Sequence, residues 1–114
     1  MPHLNLAFIK ENVSDEPEFI TMLLGVFKSN LSPDLDALRT SVATSNHDQI
    51  KKDAHKVKSS FRSLGMTEMT QTLQKLEDMG REKEDIDKIR QVFDFFEQLI
   101  PEVLKEIEDY ENQQ

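Results

Sequence analysis

Apolar residues recur at spacings of three and four along most of the chain, and no stretch alternates apolar and polar positions long enough to make a strand. The pattern predicts helix nearly throughout. A short first helix is expected over about Leu4 to Glu11, with Leu4, Phe8 and Ile9 on one side, covering one end of a bundle. Asp15 reads as an N-cap with Glu18 completing a capping box, and Pro17 falls in the first turn, where its missing N–H does little harm. Phe19, Leu23, Leu24, Phe27, Leu31, Leu35, Leu38 and Val42 then share one phase along a second helix. Pro33 should kink or briefly break it, and Ser32-Pro33 could also cap a new start.

Asn46 with Gln49 opens a third helix carrying Ile50, Ala54, Val57, Phe61 and Leu64. Gly65 follows the last apolar position and suits a left-handed C-cap. Thr67 can cap a fourth helix with Met69, Leu73, Leu76 and Met79 before Gly80. The charged segment Arg81 to Asp85 reads as a loop. A last helix begins near Ile86 and carries Ile89, Val92, Phe93, Phe96, Leu99, Ile100, Val103, Leu104 and Ile107, with a bend expected at Pro101. The expected fold is all-α: an antiparallel four-helix bundle with a short additional N-terminal helix, as one domain over residues 1–114. Residues 1–3 and 110–114 are expected to fray.

Composition narrows the function classes. The chain has 114 residues, a size for one domain. It has no cysteine, so thiolate catalysis, disulfides and zinc–thiolate sites are excluded. No apolar run reaches the roughly 20 residues of a membrane span, and the amino end lacks signal-peptide features. A cytoplasmic, monomeric protein without direct membrane contact is expected. The net charge of -8 argues against nucleic acid as a partner.

Charge is not evenly spread. His47 to Gly65 holds five Lys/Arg and two Asp, a local +3 that leaves -11 for the rest. At about 100° per residue, His55 falls roughly 140° from the centre of the third helix's apolar stripe and should face water. Its helical neighbours are Lys51, Lys58, Ser59 and Arg62. An exposed neutral imidazole offers a ring-nitrogen lone pair that can attack phosphorus. Nearby cations would offset the charge of an added phosphoryl group, with Lys58 best placed to donate to its oxygens. Surface histidines on charged helices are common, however, and spacing alone leaves a merely solvated face as the commoner outcome.

The run Ala54-His55-Lys56-Val57-Lys58-Ser59-Ser60-Phe61-Arg62-Ser63-Leu64-Gly65 resembles the signature of histidine-containing phosphotransfer (HPt) domains, continued by Leu73, Leu76 and Glu77 on the next helix. The opening Leu-Asn-Leu-Ala-Phe-Ile-Lys, the Asp-Glu-Pro-Glu-Phe-Ile turn and the acidic last helix are also similar to HPt chains. Phe61 stands where a small residue is usual, and its phase makes it core. Ser63 stands where asparagine is frequent.

The resemblance implies that His55 is the phosphoacceptor and that Lys58 steadies the phosphoryl group. It implies that Glu77 accepts the proton of the inner ring nitrogen, with Gln74 adding a weaker polar contact. Ser59 would let a partner approach, and Gly65 would end the helix. Lys51, Lys52, Lys56, Ser59 and Arg62 form the expected docking rim. The partners would be receiver domains of response regulators or hybrid sensor kinases. The chain would be a carrier with no ATPase or kinase activity and no cofactor of its own, any Mg2+ belonging to the receiver.

The rival expectation is a helical adaptor that uses the same bundle face without carrying phosphate. A metal-binding bundle is disfavoured because His3, His47 and His55 lack ligand spacing and no inward Glu-x-x-His pattern occurs. His3 is expected to be disordered, and His47 to pack or face water. There is no Gly-rich phosphate loop.

Overall fold

The computed structural model describes residues 3–114, which form five α-helices: α1 (Leu6–Asn12), α2 (Pro17–Ala43), α3 (His47–Ser63), α4 (Thr67–Arg81) and α5 (Ile86–Asn112). No strand occurs among the described residues. The four long helices make the bundle, and α1 is the additional N-terminal helix. Residues 1–2 of the segment expected to fray lie outside the described residues.

One core runs through all five helices. It includes Ile9 of α1, Ile20, Leu24, Phe27, Leu31, Leu35 and Leu38 of α2, and the expected α3 stripe of Ile50, Ala54, Val57 and Phe61. Phe61 is fully buried and stacks edge-on against Phe27 (5.1 Å between centroids) and Phe96 (5.8 Å), tying α2, α3 and α5 together. Two apolar positions depart from the expected phase. Ile20 takes the buried place and Phe19 lies at the rim, because the steps from Leu24 back to Ile20 and forward to Phe27 hold the 3.6-residue period. Leu104 of α5 is likewise an edge residue.

Several helix ends differ from their sequence signals. Asn5 caps α1, its side chain accepting from Phe8 N, so the helix starts at Leu6 while Leu4 packs on the core from outside it. Glu16, not Asp15, precedes α2, and no side-chain cap forms. Pro17 occupies the first helical position and holds the residue before it extended (φ -76°, ψ 119°), which places the boundary one residue beyond Asp15. Asn46 does cap α3 by accepting from Gln49 N, but the Gln49 side chain turns to Asp53 (2.8 Å) instead of closing a capping box. Thr67 is the first residue of α4, and the residue before it, Met66, has no side-chain oxygen with which to cap.

The prolines do not interrupt their helices. Both α2 and α5 run continuously for 27 residues through Pro33 and Pro101. Each proline is on the exposed side, while Leu31 and Leu35, or Ile100 and Val103, anchor the buried side across it. Part of each end expected to fray is held, His3 at one end and residues 110–112 at the other. Tyr110 is 7% exposed within α5, which continues to Asn112. The His3 and Leu4 backbone N–H groups both donate to the Glu106 carboxylate (2.6 and 2.9 Å), so His3 is held against α5 rather than loose. His47 Nε2 donates to the Glu84 carbonyl at 2.7 Å, closing the α4–α5 loop over the start of α3.

Two glycines set the spacing around α3. Gly65 has φ +71°, the left-handed conformation that ends α3, and a Cβ there would lie 2.4–2.8 Å from Phe8 side-chain atoms. Gly80 is inside α4 rather than a terminator. A Cβ at Gly80 would lie 2.9 Å from both His47 O and Lys51 N, so its bare backbone lets α3 and α4 approach closely. That approach brings the polar residues of the two helices together.

Candidate functional site

His55 projects from the middle of α3 with its side chain 58% exposed. Its Nδ1 lies 3.0 Å from Glu77 Oε1 on α4. A carboxylate only accepts, so Nδ1 carries the hydrogen and donates it. The neutral ring then has its lone pair on Nε2, which has no hydrogen-bond partner among the described residues. The helix pair therefore fixes ring orientation and tautomer together.

Lys58, one turn along α3 from His55, is buried instead of exposed. Its side chain is only 7% exposed and enters the groove between α3 and α4. Nζ donates to Glu77 Oε1 and to Gln74 Oε1, each at 2.8 Å. Of the cationic helical neighbours Lys51, Lys58 and Arg62, only Lys58 is withdrawn from solvent: it is one turn on, but its phase tilts it toward α4. Gln74 likewise touches the lysine and not the imidazole, so any effect on His55 passes through Lys58. Both acceptors leave one of the three ammonium hydrogens uncommitted.

Glu77 joins the two cationic or polar donors through a single oxygen. Burial pushes its carboxyl pKa up, but hydrogen bonds from Lys58 and His55, with the Lys58 charge and that of His55 whenever the ring is protonated, outweigh that and hold it below the ordinary carboxylate value. It is an anion at neutral pH. Gln74 Nε2 in turn donates to Asp78 Oδ1 (2.9 Å), and Arg81 reaches the same oxygen (2.8 Å).

The remaining expected rim residues surround this center on α3. Lys51, Lys52, Lys56 and Arg62 are exposed, and Ser59 is half-buried. Lys56 pairs with Asp34 of α2 at 3.1 Å, leaving part of the local positive charge neutralised across the helix pair. Ser59 Oγ donates to the His55 carbonyl (3.1 Å) and Ser63 Oγ to the Ser59 carbonyl (2.7 Å), so both hydroxyls lie against the helix and leave a low surface beside the imidazole.

Sequence reasoning missed three features. Asp34 and Asp78 carry no motif; only the packing of α2 and α4 against α3 reveals them. The third is apolar. Met22 (57% exposed) and Val26 (54%) form a second stripe on α2, off the core face. Val26 borders a shallow groove with Leu23, Asn30, Ser60 and Ser63, on the same side as the low serine surface. Apolar residues four apart on one helix were a signal, but their phase only stands out once Ile20 and Leu24 define the core face.

A family model described as the Hpt domain matches residues 22–112. The chain belongs to the Hpt domain family. The match takes in most of α2 and all of α3 and α4 with their polar center, while α1 lies before it. No curated protein and no solved structure matches the chain. As an Hpt domain it has a histidine phosphotransfer role in two-component signalling, as a phosphocarrier that works with receiver domains. No helix among the described residues is long and apolar enough to cross a membrane, and no three His, Asp or Glu side chains among them cluster to hold a metal.

Proposed function

We propose that His55 accepts a phosphoryl group through Nε2 from the aspartyl phosphate of one receiver domain and passes it to the aspartate of another. The Nε2–P bond forms as the acyl oxygen–phosphorus bond breaks, and the aspartate leaves as a carboxylate. Nδ1 keeps its hydrogen on Glu77 throughout, which stabilises the positive charge that develops on the ring. The uncommitted hydrogen of Lys58 is the donor for a phosphoryl oxygen. Positioning and charge stabilisation supply most of the effect in such transfers, and the Mg2+ belongs to the receiver.

The observation that carries this reading is the exposed imidazole whose inner nitrogen is held by Glu77, on a helix inside the segment that matches the Hpt domain. The receiver would sit over Ser59 and Ser63, with the Val26 and Met22 stripe as the apolar part of the contact and Lys51, Lys52, Lys56 and Arg62 at its rim. A modest interface with rapid turnover is expected.

The test is transfer of label from a phosphorylated receiver. His55→Gln should stay folded and take up none, because an exposed side chain contributes little packing. Undiminished labelling of that variant would end the assignment. The adaptor reading predicts instead that partner binding proceeds with no acid-labile, base-stable phosphate on the wild-type chain.

A further inference from the structure

We propose that Asp78 is a positioning residue for this reaction: through Gln74 it anchors the Lys58 ammonium, so that one N–H is left directed at the group bound on His55. The inference rests on the phosphoryl-acceptor reading of His55. It concerns a carboxylate one turn beyond Gln74 on α4 that touches neither the imidazole nor the lysine.

The argument begins with the amide. Gln74 has an acceptor and a donor at the end of one flat group, and it is held at both ends. Its Oε1 accepts from Lys58 Nζ at 2.8 Å, and its Nε2 donates to Asp78 Oδ1 at 2.9 Å. An ammonium can only donate and a carboxylate can only accept. The opposite amide orientation would set NH2 against ammonium and carbonyl against carboxylate. Asp78 therefore enforces the orientation that presents an acceptor to Lys58. Arg81, bound to the same Asp78 oxygen at 2.8 Å, restrains the carboxylate in turn.

The consequence falls on Lys58. A lysine has four side-chain torsions to restrain, and a single acceptor leaves its ammonium free to pivot. Two acceptors, Glu77 and Gln74, fix two of its three hydrogens, and tetrahedral geometry then directs the third. The series Asp78, Gln74, Lys58, Glu77, His55 is continuous, with every step between 2.8 and 3.0 Å. Such a network carries preorganisation from a half-exposed carboxylate to the reacting nitrogen.

Charge alone predicts the opposite result from anchoring, which makes the proposal testable. Removing a negative charge close to the site would speed attack on an anionic donor, whereas releasing the lysine would slow it. Labelling of the full chain is therefore followed with two donors, a phosphorylated receiver and the small molecule phosphoramidate. Asp78→Ala and the uncharged change Gln74→Leu should each slow labelling about threefold to tenfold with both donors, the range of a coupled polar contact.

In a Lys58→Ala background, Gln74→Leu should have no further effect, since there is then no ammonium to anchor. Thermal unfolding of each variant reports the structural contribution separately. Unchanged or faster labelling of Asp78→Ala, or an additive effect of Gln74→Leu on Lys58→Ala, would overturn the positioning role while leaving the His55 assignment in place. Failure of the wild-type chain to be labelled on His55 by either donor would overturn both.

Discussion

The Glu77 carboxylate serves two donors with one oxygen, so its removal has separable consequences. In Glu77→Gln the buried Lys58 loses its counter-charge, and the amide can turn either its oxygen or its NH2 toward His55. Stability should fall by about 1–3 kcal/mol at pH 7, the size of a hydrogen bond to a charged partner. Nitrogen NMR of the imidazole should show the Nδ1–H tautomer giving way to a mixture; an unchanged tautomer would mean that Glu77 does not set it. The pH dependence has a definite sign. A carboxyl whose native pKa is depressed contributes stability above its unfolded value, about 4, and loses it as pH falls through the native value. The gap between wild type and Glu77→Gln in urea unfolding should therefore be widest near neutrality and close in stronger acid. The exposure of His55 was legible from its phase, since a residue far from the apolar stripe turns to water, whereas its role was legible only from the motif around it. The burial of Lys58 was not, because exposure at the edge of a helix depends on how near the next helix lies.

That nearness rests on Gly80, and the glycine makes a prediction about the α3–α4 pair. Alanine is the better helix former by about 1 kcal/mol, so Gly80→Ala should stabilise α4 if the position were merely helical. Here the new methyl would meet backbone atoms of His47 and Lys51 at 2.9 Å, and backbone cannot turn aside as a flexible side chain does. The helices must move apart, and a net loss of about 1–3 kcal/mol is expected by denaturant unfolding, as for other overpacked contacts. Widening the pair should also loosen the His55–Glu77 bond and slow phosphoryl uptake; a stabilised, fully active variant would show that the close approach is dispensable. The helical character, order and buried stripes of these elements were readable because apolar spacing reports the 3.6-residue period directly. Their ends and interruptions were less so. A glycine near a helix end looks the same whether it stops the helix or admits a neighbour, and a proline on the exposed side lacks the consequence it would have without Leu31 and Leu35 holding the phase across it.

Across the assembled bundle, the α3 segment of net charge +3 sits in a chain of net -8, and Val26 of α2, with Met22 one turn before it, is an exposed apolar side chain at a groove shared with Ser60 and Ser63 of α3. These two features should act at different stages of an encounter. Opposite charges on a partner guide approach and are weakened by salt, whereas apolar contact forms on close docking and holds the complex. Adding salt should therefore slow association with an acidic receiver, while replacing apolar side chains should speed dissociation. Met22→Ser with Val26→Ser is the variant that isolates the second effect. Both side chains are more than half exposed, so their loss should change folding stability by no more than about 0.5 kcal/mol each. Covering part of each in a complex is expected to contribute about 1 kcal/mol, so the pair should weaken receiver affinity by roughly tenfold or more. Phosphoramidate needs no docked protein, so its labelling of His55 should change far less than receiver-driven labelling does. Equal losses with both donors would place Met22 and Val26 in the support of the imidazole instead of in the contact, and the receiver would then have to approach His55 from the α4 side.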